Sequence, residues 1–157
     1  MAFDFNAKDI FEMAKQMERN GAKFYQSAAE GVSSEEEKKF LLHLAKMEEA
    51  HEQTFADIEA QLPATETAET TFDPENETAK YIKALVDTKV FFEKDIDTSS
   101  MKEILKSAIT AEKDSIVFYL GMKDLVPGKL GSTRIDDIIK EEMSHIRILG
   151  RELLAYK

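Results

Sequence analysis

The sequence predicts an all-α protein: a four-helix bundle made of two helix pairs joined by a long crossover. Three observations carry the prediction. The six glycines and three prolines are sparse and fall between long stretches rich in Ala, Glu, Lys, Leu and Met, which are strong helix formers. Four of those stretches place apolar residues at alternating steps of three and four, the period of a helix face. The two halves of the chain also repeat one another. ERNGAKFY at 18–25 aligns with EKDSIVFY at 112–119, and LLHLAKMEEAH at 41–51 aligns with IDDIIKEEMSH at 135–145, both at an offset of 94 residues.

The first helix is expected to start after Asn6 and to end near Gly31. Ser34, followed three residues later by Glu37, forms a capping box for the second helix, and Pro63 closes it. Residues 63–75, PATETAETTFDPE, are polar and contain two prolines, so they are expected as an exposed connection. A short helix is expected over Thr78 to Phe92. Ser100 and Glu103 form a second capping box, opening a helix that should run to the VPGKLGS turn at 126–132. The last helix continues almost to Lys157. A chain of 157 residues is the size of one ordinary domain and can bury a core without disulfides. The expected organisation is therefore one domain, 1–157, with a helix pair at 7–62, a crossover at 63–99 and a helix pair at 100–155. Short connections within pairs and a long one between them make the ferritin-like kind of bundle.

Composition removes several classes of function. With no cysteine, disulfides, thiolate metal sites, iron–sulfur clusters and cysteine nucleophiles are excluded, so any metal must be held by oxygen and nitrogen. The net charge of −10 and the lack of clustered Lys and Arg argue against a nucleic-acid surface. No apolar run approaches a membrane span, and MAFDFNAKD lacks the order of a signal peptide, so a soluble, cytoplasmic protein is expected.

Each predicted helix sends one carboxylate into its apolar face. On the second helix Leu41, Leu44, Glu48, His51, Phe55 and Ile58 share a stripe; on the last, Ile135, Ile138, Glu142, His145 and Leu149 do. On the first helix the stripe is Ile10, Ala14, Glu18, Gly21, Ala22 and Tyr25; on the third, Leu105, Ala108, Glu112, Ser115, Ile116 and Tyr119. Burying an isolated carboxylate costs several kcal/mol, so four in one core require compensating positive charge, and two divalent ions balance them. A Glu and a His three residues apart can reach one ion from the same side of a helix. A lone Glu-x-x-His is a weak motif, but two on core stripes in matched repeats are far more specific. The predicted metal ligands are Glu18, Glu48, His51, Glu112, Glu142 and His145. Six oxygen and nitrogen donors suit iron or manganese better than structural zinc, which prefers a closed tetrahedron. Two iron ions are expected, with manganese or zinc as substitutes. Tyr25 and Tyr119, seven residues after Glu18 and Glu112, either pack in the core or hydrogen-bond a ligand carboxylate. His43, Glu49 and Glu141 lie off the seam and are expected in solvent. Gly21 is expected to allow close helix contact.

At MERNGAKFY, MEEAHEQTF, AEKDSIVFY and EEMSHIRIL the chain resembles the rubrerythrin branch of the ferritin-like di-iron superfamily, and the resemblance covers nearly the whole sequence. It implies that Glu48 and Glu142 bridge the two irons, with Glu18, Glu112, His51 and His145 terminal. It also implies reduction of hydrogen peroxide at a diferrous site, in a homodimer. Full-length rubrerythrins carry a cysteine-ligated rubredoxin domain, which this chain has no cysteine to build, so a separate electron-donor protein is expected. Rubrerythrins also tend to have a further glutamate three residues after the third-helix ligand, where this chain has Ser115. The resulting six-ligand set is similar to that of bacterioferritin or the small ribonucleotide reductase subunit. Two alternatives stand beside the peroxidase: a ferroxidase or iron-storage protein acting with oxygen, and a metal-binding module without turnover.

Overall fold

In a computed structural model, which describes residues 7–61, 80, 81, 84, 100–125 and 129–156, four long helices account for nearly every described residue. They are α1 (Ala7–Gly31), α2 (Glu35–Gln61), α3 (Met101–Leu125) and α4 (Lys129–Ala155). No strand occurs among the described residues. The expected exposed connection at 63–75 lies outside them. So does most of the short helix expected over 78–92, of which Lys80, Tyr81 and Ala84 are described and helical.

Both expected capping serines act at the helix starts. Ser34 Oγ accepts from the Glu37 amide at 3.4 Å, and Ser100 Oγ accepts from the Glu103 amide at 3.2 Å. The carbonyls of the same serines accept the first helical bonds, from Lys38 and Ile104, each at 3.0 Å. One boundary differs from expectation. α4 already begins at Lys129, inside the stretch expected as a turn, so Gly131 and Ser132 are helical. Glycine in a helix costs about 1 kcal/mol relative to alanine, which the packing of a long apolar face outweighs.

α1 packs mainly on α2, and α3 on α4. Contacts across the bundle also set α1 antiparallel to α3 and α2 antiparallel to α4. Tyr25 and Glu18 of α1 meet Glu112 and Tyr119 of α3, in opposite chain order, and His51 and Glu48 of α2 meet Glu142 and His145 of α4 in the same way. The core divides in two along the bundle axis. At one end Phe11, Phe55, Phe118, Met122 and Ile135 pack together; at the other, Ala28, Leu41, Leu44, Ile104, Leu105 and Leu149 do. Ion pairs brace the outside of each pair, Lys15 with Glu59 at 2.8 Å and Lys123 with Asp136 at 2.8 Å. No helix among the described residues is long and apolar enough to cross a membrane.

Candidate metal centre

Between the two apolar clusters lies a polar layer. Among the described residues, Glu18, Glu48, His51, Glu112, Glu142 and His145 are the buried polar or charged side chains, and each is at most 5% exposed. They are the six residues that the stripes single out. The helical period sets each one in line with core residues on either side of it along its helix, so the same packing that buries the stripes brings four carboxylates and two imidazoles to one level.

Two overlapping groups form there. Ligand atoms of Glu18, Glu48, His51 and Glu142 lie within 4.8 Å of one another, and so do those of Glu48, Glu112, Glu142 and His145. Glu48 and Glu142 belong to both. The contacts follow the internal repeat. His51 Nδ1 is 2.8 Å from Glu142 and 3.6 Å from Glu18; its counterpart His145 Nδ1 is 3.2 Å from Glu48 and 3.3 Å from Glu112. The Tyr25 hydroxyl donates to Glu112 Oε1 at 2.8 Å, and the Tyr119 hydroxyl donates to Glu18 Oε1. Each tyrosine thus serves the glutamate of the opposite repeat, and of the two roles open to them the hydrogen bond to a site carboxylate is the one they adopt.

Burial raises Glu18 above the usual carboxylate range, helped by repulsion from Glu142. Glu48 is pushed well above it by burial and by Glu18 and Glu112, and Glu142 is raised to about 8 by burial and by Glu48 and Glu112. Glu112 goes the other way: burial opposes its ionisation, but its contacts with Glu142, His145 and Tyr25 hold it low. Burial also disfavours the imidazolium form of both histidines. Contacts with Glu142 and Glu18 nevertheless lift His51 to about 11, and contacts with Glu112, Glu142 and Glu48 lift His145 to about 12. Protons therefore supply positive charge that the carboxylates require. Several buried atoms still have no hydrogen-bond partner among the described residues: Glu18 Oε2, Glu48 Oε1, both oxygens of Glu142, His51 Nδ1 and His145 Nε2. Buried polar atoms are normally satisfied, and orphaned carboxylate oxygens facing an imidazole nitrogen are the donors that a divalent cation takes. The residues fit a metal pair.

The chain is similar over its full length to a solved structure described as a ferritin-like diiron-carboxylate protein from Thermotoga maritima, with 25% identity, 100% of each chain covered and a TM-score of 0.72. The fold is ferritin-like. No family model and no curated protein matches the chain. The ferritin-like fold and the buried Glu and His cluster together support a di-iron protein.

His43 and Glu49 are exposed, as their positions off the seam imply, and Glu49 accepts from Gln26 at 2.9 Å. Glu141 is exposed too, but its Oε2 also pairs with His51 Nε2 across the α2–α4 contact. One residue's rotation from the seam is about 100°, which a glutamate side chain can span to reach the outer edge of a ring on the next helix. Gly21 makes room for a side chain rather than for a neighbouring backbone. A Cβ there would sit 3.1 Å from Glu48 Oε2.

Proposed function

We propose that the polar layer holds two iron ions and that the protein reduces hydrogen peroxide, as a rubrerythrin-like cytoplasmic peroxidase. The observation that carries the metal reading is the sharing of Glu48 and Glu142 between two groups of four ligand-competent side chains. In this reading Glu48 and Glu142 would be shared by the two ions, Glu18 and His51 would complete one position, and Glu112 and His145 would complete the other. Bound there, a pair of ferrous ions would supply the two electrons that cleaving an O–O bond requires.

The chain's own groups do the rest. Tyr25 and Tyr119 donate to Glu112 and Glu18, which fixes the carboxylate orientation and leaves the other oxygen of each free to bind. The apolar clusters above and below exclude water and strengthen electrostatic interactions in the layer between them. Cleavage of peroxide to two waters consumes two protons along with the two electrons. The electrons are restored by a separate donor protein, and a homodimer is the assembly this reading adopts.

Stopped-flow mixing of the anaerobic, iron-loaded protein with peroxide and with oxygen tests the activity. Faster oxidation by peroxide than by oxygen is expected. Faster oxidation by oxygen would make the protein a ferroxidase, and no reaction with either would leave a metal-binding module.

A further inference from the structure

The two halves of the polar layer obey the repeat at every ligand, but they break it at the residue before the α4 glutamate. The position 94 residues before Glu141 is Met47, so the carboxylate that meets His51 has no counterpart at the matching position of the repeat. We propose that Glu141 is a positioning residue that makes the two metal positions unequal, the half containing His51 binding the more tightly. This inference rests on the di-iron reading.

The geometry at His51 has two sides. Its Nε2 is engaged by Glu141 Oε2, and its Nδ1 points inward, 2.8 Å from Glu142 and 3.6 Å from Glu18. The outer contact holds the plane of the ring, and with metal bound it would also fix the tautomer, leaving the proton on Nε2 and the Nδ1 lone pair for the interior. His145 presents its Nδ1 to Glu48, Glu112 and Glu142 at 3.2, 3.3 and 3.5 Å, in the same manner. Its Nε2, however, is buried and has no partner among the described residues, and a methionine holds the repeat position from which a carboxylate would reach it. A histidine whose outer N–H is bound by a carboxylate is both pre-oriented and more basic, and loss of such a partner typically costs about 10–100-fold in metal affinity. Metal therefore fills the Glu18–His51 position first and the Glu112–His145 position second, with Glu48 and Glu142 common to both. The Glu141 side chain is 56% exposed, so it can be altered without opening the core.

The experiment is an anaerobic titration with Co(II), followed by visible absorption. It is paired with histidine-ring NMR of the Zn(II)-loaded protein. The wild type should take up cobalt in two unequal steps. Glu141→Ala should weaken the tighter step by about 10–100-fold and leave the weaker one in place, and Glu141→Gln, which keeps an acceptor oxygen without the charge, should fall between. Met47→Glu should tighten the weaker step. In the NMR spectrum one slowly exchanging Nε2–H signal should disappear in Glu141→Ala and persist in the wild type. Two steps that are indifferent to Glu141→Ala, or that weaken equally, would overturn the proposal while leaving the di-metal reading intact. A wild type that binds fewer than two ions would overturn both.

Discussion

Gly21 shows how one missing carbon can serve a site. Alanine there would place its Cβ 3.1 Å from Glu48 Oε2, tighter than ordinary contact, so the carboxylate must shift. Alanine is also the better helix former by about 1 kcal/mol. Gly21→Ala should therefore raise the melting temperature of the metal-free protein and weaken metal binding, a divergence that thermal melts with and without metal would detect. If both forms change alike, the glycine serves helix packing alone. The tyrosines make a second case at this scale. Tyr25→Phe removes the donor to Glu112, and an unsatisfied buried acceptor costs about 1–3 kcal/mol, so loss of stability and a rise in the proton affinity of Glu112 are expected, measurable by melts and by carboxylate NMR titration. The seven-residue spacing from each glutamate places both tyrosines on the core face, which the sequence shows. Which carboxylate each one meets depends on α1 running antiparallel to α3, and local periodicity contains no such information. The contact of Glu141 with His51 was not legible for a related reason: a helix period assigns the side chain to solvent, where over half of it lies, and only the neighbouring helix supplies the ring edge that it reaches.

At the scale of elements the sequence was most legible, because the signals are local. The two capping boxes lie where the hydrogen bonds form, and the boundaries near Asn6, Gly31 and Pro63 agree with α1 and α2 to within a residue or two. The start of α4 was less legible: Gly131 and Ser132 are turn formers by propensity, yet they lie in a helix that continues for 27 residues. Tertiary packing overrides weak local preference there. Ser34→Ala tests the element account. Removing the cap should cost about 1 kcal/mol in both metal-free and metal-bound protein, since the cap lies at the end of α2 remote from Glu48 and His51. Equal shifts in urea midpoint for the two forms would bear this out, and a shift confined to one form would contradict it.

Across the whole molecule the organising fact is a layer of charge inside an acidic chain. The internal repeat made its composition legible, since Glu18, Glu48 and His51 recur as Glu112, Glu142 and His145, and a bundle must bring matched stripes to one level. The sign of its proton balance was legible, since four facing carboxylates cannot all stay ionised, but the division among Glu18, Glu48, Glu112 and Glu142 was not, because that depends on distances between helices. In the metal-free protein Glu142 is raised from 4.5 to about 8, and His51 from 6.5 to about 11. Both shifts mean that the folded chain binds more protons than the unfolded one between those limits. Their contribution to stability is present at low pH and is lost as pH rises, across 4.5 to 8 for Glu142 and 6.5 to 11 for His51. Metal ligation requires deprotonated ligands, so metal affinity moves the opposite way. The melting temperature of the metal-free protein should fall between pH 5 and pH 8 while the stabilisation gained on adding metal grows. Glu48→Gln removes one buried negative charge at nearly constant shape, and should stabilise the metal-free bundle while weakening the metal site. Melts that show no gain from metal and a loss from Glu48→Gln would mean that the carboxylates do not repel.

The claim beneath all of this is that six side chains form one two-metal centre, and counting ions tests it most directly. The measurement is the number of ferrous ions retained per chain after anaerobic loading and removal of free metal, in the wild type and in Glu142→Ala. Because Glu142 belongs to both ligand groups, the account predicts two ions in the wild type and loss of tight binding at both positions in the variant. Two ions still held tightly without Glu142, or none held by the wild type, would contradict it.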